Sequence, residues 1–121
     1  GGGMNNLNII GRLTKDIELR YTPSGKAVTN FSIAVAEGYG EKKQVYFFVC
    51  EAWGKTAEVA KQHLSKGNKI AVSGSLKQKT WEKDGQRNSM VVVLVGRLEF
   101  LEPFKKQEQA LSQEEPIITF E

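Results

Sequence analysis

A chain of 121 residues has the length of one domain, because single hydrophobic cores run to roughly 100 to 200 residues, and it leaves no room within it for a second catalytic domain. Apolar residues at 40% and charged residues at 26%, with no apolar run near the roughly 18 residues of a membrane span, predict a soluble globular chain and exclude a membrane helix. The net charge of +3 hides an uneven balance of 15 basic against 9 acidic side chains up to Leu101 and 2 against 5 thereafter, the asymmetry of a polyanion-binding body with an acidic interaction tail, or of a tail acidic by chance.

Gly1, Gly2 and Gly3 precede Met4 and read as an added leader ahead of the native start. The dominant period from there is two, which predicts strands with one face inward. Strand one is expected over Leu7 to Leu13, and Pro23-Ser24-Gly25 marks a turn. Strand two runs from Ala27 to Glu37, with Phe31, Ile33 and Val35 alternating with Asn30, Ser32 and Ala34, and ends at the Gly38-Tyr39-Gly40 turn. Strand three spans Val45 to Trp53. A short helix is expected over Thr56 to Ser65, with Thr56 as its cap, Glu58 in the first turn, and Ala57, Ala60 and Leu64 as the apolar stripe. Lys66-Gly67-Asn68 stops it. Strand four is expected over Lys69 to Trp81, a hairpin at Asp84-Gly85, and strand five over Ser89 to Leu101. The period is lost after that, and residues 102 to 121 read as a short flexible acidic tail on a domain of residues 4 to 101. Five strands with one helix between the third and fourth is the order of the all-β oligonucleotide-binding (OB) fold, a Greek-key barrel.

Alternation divides strand three into Tyr46, Phe48, Cys50 and Ala52 on one face and Val45, Phe47, Val49, Glu51 and Trp53 on the other. A carboxylate is not expected in a core without a partner, so the Glu51 face is predicted to be the solvated one. Phe47 and Trp53 then lie outside the barrel, where large aromatics mark a binding surface or a subunit interface. In strand four, Ile70, Val72, Gly74 and Leu76 are predicted to point inward, and Ser73, Ser75, Lys77, Lys79 and Trp81 outward. Cations alternating with an indole suit a single-stranded nucleic acid, whose phosphates take Lys and Arg while its unstacked bases lie on aromatic rings. A lysine-rich ribbon kept soluble by charge explains Lys77 and Lys79, but not Trp81.

Cys50 is the only cysteine, so no intrachain disulfide forms, and its apolar neighbours predict a buried thiol in a reducing cytoplasm. His63, the only histidine, sits on the helix beside Lys61 and Gln62. One Cys and one His make no zinc-ligand set, and no Walker or dinucleotide glycine pattern is present. No metal, cofactor or enzymatic activity is expected.

Several short motifs in order carry a resemblance: Asn8-Ile9-Ile10-Gly11-Arg12-Leu13, Asp16-Ile17-Glu18-Leu19-Arg20-Tyr21, Gly25-Lys26-Ala27-Val28 and Phe31-Ser32-Ile33-Ala34-Val35. They continue with Trp53-Gly54-Lys55-Thr56-Ala57-Glu58-Val59-Ala60, Leu64-Ser65-Lys66-Gly67 and Gly74-Ser75-Leu76-Lys77. Over Met4 to Leu101 the chain resembles the bacterial single-stranded DNA-binding proteins, a phage or plasmid member included. The resemblance implies a non-enzymatic binder that protects single-stranded DNA in replication, recombination and repair, as a homotetramer in the cytoplasm, associated with the nucleoid. By motif position it implies Tyr39, Phe47, Trp53 and Trp81 under bases, with Lys55, Lys77 and Lys79 on phosphates; Arg12 is expected on phosphates beside them, and Arg20 and Arg97 either join them or pair with Glu18 and Glu99. It also implies that the tail, through Glu114, Glu115, Ile117, Ile118 and Phe120, docks replication and repair proteins. Here the family's tip is altered: Pro116 precedes the isoleucines and Glu121 follows Phe120. Stacking and phosphate contacts do not by themselves separate DNA from RNA. A dimeric primosome accessory protein, or an adaptor burying its aromatic face against another protein, uses the same residues.

Overall fold

Period-two stretches become strands, and their pairing closes a sheet on itself. A computed structural model describes residues 2–102. Its elements are β1 (Leu7–Leu13), β2 (Arg20–Tyr21), β3 (Ala27–Glu37), a 3-10 turn (Gly40–Lys42), β4 (Gln44–Trp53), α1 (Gly54–His63), β5 (Lys69–Lys83) and β6 (Gln86–Phe100). The sheet order is β1-β5-β6-β4-β3-β2, and β1 also pairs with β3 through Arg12–Ala34 and Leu13–Ile33, which closes the barrel. β4 and β6 run parallel through Cys50–Val93 and Glu51–Leu94, whereas the other pairings are antiparallel. This is the OB-fold barrel expected from the sequence. The added β2 edges β3, so the helix falls between β4 and β5 of six strands rather than between the third and fourth of five. Two residues carry no readable period, which is why β2 was not foreseen.

The core is built from inward positions: Leu13 of β1, Phe31 and Ile33 of β3, Cys50 and Ala52 of β4, Ile70 and Val72 of β5, Val93 and Val95 of β6. Each fully buried Leu, Ile or Val side chain contributes about 1.5–3 kcal/mol relative to exposure. Ala57, Ala60 and Leu64, the predicted stripe, bring α1 onto this core. The helix begins earlier than expected. Gly54 takes φ 60° directly after β4, and Trp53 occupies the N-cap position without a side-chain cap. Thr56 is therefore inside the helix rather than capping it, and no acidic residue lies in the first turn. The helix also ends earlier than expected, at His63 with Leu64 extended as its C-cap, and the predicted stop is a separate turn that follows, in which Gly67 takes φ 92° and Asn68 Oδ1 accepts the Ser65 N–H at 2.9 Å.

Asp84 at φ 53° and Gly85 at φ 77° form the two-residue turn that joins β5 to β6. Both strands are 15 residues long, more than the barrel needs, so the hairpin projects past it. Leu76, predicted to be internal, faces the inner side but lies where the barrel has ended, and is 50% exposed. A bulge precedes it: Ser73 pairs with Arg97 and Gly74 with Val95, leaving Gly96 as the extra residue. Gly74 is required there, because a Cβ on it would overlap the Leu94 carbonyl oxygen.

Candidate nucleic-acid interface

Strand register assembles one outward face. On β4 it presents Phe47, Val49, Glu51 and Trp53, which lie opposite Ala34, Ser32, Asn30 and Val28 of β3. On β5 it presents Ser75, Lys77, Lys79 and Trp81, opposite Leu94, Val92, Met90 and Asn88 of β6. Glu51 pairs with Leu94, so the two halves are one continuous surface. Phe47 is 67% exposed, Trp53 39% and Trp81 44%. Phe47 and Trp53, six residues apart on an extended strand, stand about 20 Å apart.

Tyr39 is exposed and sits in the β3–β4 loop just before the 3-10 turn. Since β4 and β6 are parallel, this loop and Trp81 on the hairpin lie toward the same end of the barrel, the Phe47 end. Trp53 and Lys55 mark the other end. Lys55, exposed on the first turn of α1, lines a cavity of about 290 Å³ with Thr56, Val59, Arg97 and Phe100.

Two of the expected cations are engaged within the chain. Arg12 shares a cross-strand row with Ala34 and Phe47, but its Nη1 donates to the Gly67 carbonyl at 2.9 Å and to Glu102 at 3.1 Å. Lys79 Nζ donates to Glu51 Oε2 at 2.5 Å. Lys77 and Lys55 have no ion-pair partner among the described residues. Arg97 pairs with Glu99, one of the two outcomes left open. Arg20 does not pair with Glu18 but donates to Asn30 Oδ1 at 3.0 Å. It also faces Val28, which faces Trp53, so β2 puts a cation in the same cross-strand row as that indole, one strand beyond β3's Val28. Sequence reasoning left Arg20 open between a phosphate and Glu18, because the face of a two-residue strand cannot be read from alternation.

Glu51 corrects the argument that turned this face outward. It was expected in solvent, yet it is 1% exposed. The face is outward all the same, and the carboxylate on it is paired with the Lys79 ammonium. Burial by itself would raise the Glu51 pKa, but the hydrogen bond and charge of Lys79, the Trp53 indole and the field of Lys77 outweigh it and hold the carboxyl below its ordinary value. The opposite side of β4 also differs from expectation. Cys50 and Ala52 are buried, but Tyr46 and Phe48 stand well exposed, with rings 6.5 Å apart, although Phe48 lies opposite the core residue Ile33.

The tail residues Glu114, Glu115, Ile117, Ile118 and Phe120 lie outside the described residues. No helix among the described residues is long and apolar enough to cross a membrane.

The Single-strand binding protein family matches residues 4–101. Similar curated proteins include the single-stranded DNA-binding protein of Treponema pallidum (strain Nichols), 38% identical over 102 residues that cover 81% of this chain and 58% of that protein. That of Clostridium tetani (strain Massachusetts / E88) is 41% identical over 108 residues, covering 86% and 74% respectively. That of Helicobacter pylori (strain ATCC 700392 / 26695) is 30% identical over 120 residues, covering 94% and 67%. Matches of this kind reach only about 58% to 61% of the length of several relatives. With a family match over residues 4–101 and relatives up to 41% identical over most of its length, the chain belongs to the single-strand binding protein family.

Proposed function

We propose that the chain binds single-stranded DNA without sequence preference, as a binding protein and not an enzyme, and protects exposed strands in replication, recombination and repair. The observation that carries this reading is the run of Trp53, Phe47 and Trp81 with Lys77 on one outward face. Bases stack on the rings, each stack contributing about 1–3 kcal/mol, and Lys77, Lys55 and Arg20 meet phosphates. Arg12 and Lys79 join the phosphate set only by giving up the contacts described above. Titration with a thirty-base oligo-dT at two salt concentrations tests the reading. Tryptophan emission is quenched, and affinity falls as salt rises. Unchanged emission at low salt, or equal affinity for duplex, overturns it; an RNA oligomer run in parallel shows whether the 2′-hydroxyl is discriminated.

Assembly into a homotetramer is part of the same reading. Tyr46, Phe48, Leu76 and Val91 leave an apolar surface beside the core that a second copy would cover. Light scattering gives four chains per particle if this holds, and one chain if it does not. Docking of replication and repair proteins on the tail is lost on deletion of residues 114–121 if Phe120 anchors it, and persists otherwise. We place the protein in the cytoplasm with the nucleoid on the strength of this binding alone.

A further inference from the structure

An anion occupies the middle of the surface assigned above to a polyanion. Glu51 is 1% exposed, and its Oε2 meets Lys79 Nζ at 2.5 Å. The two residues belong to strands that are not neighbours, since β6 runs between them. Glu51 pairs with Leu94 and Lys79 with Met90, so the Lys79 side chain crosses β6 diagonally. Val92 faces the same side between those positions and is buried at 2% although it lies outside the barrel core. Lys77, directly opposite Val92, is exposed and has no ion-pair partner among the described residues.

The physics of the pair decides which lysine serves a ligand. Moving the Lys79 ammonium to a phosphate exchanges a short contact with a buried carboxylate for a solvent-screened one, and strands Glu51 with a buried charge and no counter-ion. The Glu51 Oε1 atom already lacks a hydrogen bond of normal geometry, so only the Trp53 indole and the more distant charge of Lys77 compensate the carboxylate if Lys79 leaves. We propose that Glu51 holds Lys79 as a permanent counter-ion, so that Lys79 serves as a strap over β6 between the Phe47 and Trp53 positions and, of the two β5 lysines expected on phosphates, Lys77 is the one that supplies the charge. Glu51 is thus a positioning residue: it keeps one cation out of the phosphate set and fixes the surface next to Trp53, two residues along the same face. The half of this that concerns phosphate rests on the single-stranded DNA reading; the sequestration of Lys79 does not.

The test has one arm without DNA and one with it. In the first, the free protein is treated with an acetylating N-hydroxysuccinimide ester and the modified lysines are followed by mass spectrometry. Lys79 reacts several-fold more slowly than Lys77 in the unaltered chain, and at a similar rate to Lys77 in Glu51→Gln. Equal rates in the unaltered chain overturn the sequestration. In the second arm, the slope of log affinity against log salt is measured with oligo-dT. Glu51→Gln frees a cation and steepens the slope by about 0.7, the value for one further phosphate on a single strand, while Lys77→Met flattens it by the same amount. The double variant Glu51→Gln with Lys79→Met buries no lone charge, so it keeps its fold, and it returns the slope to that of the unaltered chain. A Glu51→Gln slope equal to the unaltered one overturns the proposal, as does a double variant flatter than it. Failure of the unaltered chain to bind any oligonucleotide at low salt would reject the functional reading instead, and the acetylation rates would then decide the counter-ion claim by themselves.

Discussion

The Cys50 thiol is fully buried, and burial pushes its pKa up to about 12, so almost no thiolate exists at neutral pH. Folded protein at pH 8 is expected to resist a thiol reagent and to take one label per chain after unfolding, which a colorimetric thiol assay reads directly. Rapid labelling of the folded state would place Cys50 in an open barrel. Glu51 supplies the pH dependence. Its folded pKa lies below the ordinary 4.5, so the stabilisation is fully present above that value and is lost as pH falls through the lower, folded one. The thermal midpoint should hold steady from pH 7 to about 5 and then drop, with a shallower drop in Glu51→Gln. Burial of Cys50 was legible because its apolar neighbours alternate in register with it. Burial of Glu51 was not, because its partner is 28 residues away on a strand whose pairing no local pattern reveals.

At the level of elements, the five long strands and the apolar stripe of α1 followed from periodicity, although β5 runs two residues past its expected end and β6 begins three before its expected start, and the Asp84-Gly85 turn followed from its positive φ requirement. The helix start escaped because a glycine at positive φ lets α1 follow β4 without a capping side chain, and Thr56 looked like a better cap than Trp53. Leu76 escaped because alternation tells which side a residue faces, not whether anything lies on that side. The bulge at Ser73/Gly74 gives a direct test of the observed register. Gly74→Ala forces a methyl against the Leu94 carbonyl and should cost about 1–3 kcal/mol or more, the range of overpacked sites, measured by denaturant titration. A neutral outcome would mean the two strands do not approach as closely as described.

For the molecule as a whole, the barrel topology was readable from element order, whereas the interface was readable only in part. Phe47, Trp53, Lys77 and Trp81 share a face because alternation within a strand is local information; the joining of β4 and β5 into one surface through β6 is not. Every exposed aromatic of that surface precedes residue 102, so a chain ending at Glu102 should keep its thermal transition and its oligo-dT quenching. Glu102 is retained in that design because it accepts from both Arg12 and the Lys69 backbone N–H. Loss of the transition would make residues 103–121 part of the folded unit.

The projecting hairpin has a consequence for motion. Beyond Lys79, whose ammonium is tied to Glu51 of β4, the β5–β6 ladder from Thr80 to Lys83 is held by its own rungs, with no other strand paired beside it, whereas Trp53 is anchored where β4 meets α1. Amide exchange should therefore run fastest at the hairpin tip and slow sharply near the bulge. Observed one at a time in Trp→Phe variants, the two indoles should show different anisotropy decays, slow tumbling with the whole particle for Trp53 and an added nanosecond component for Trp81. One tryptophan would then act as a fixed platform and the other as an arm that searches for the strand.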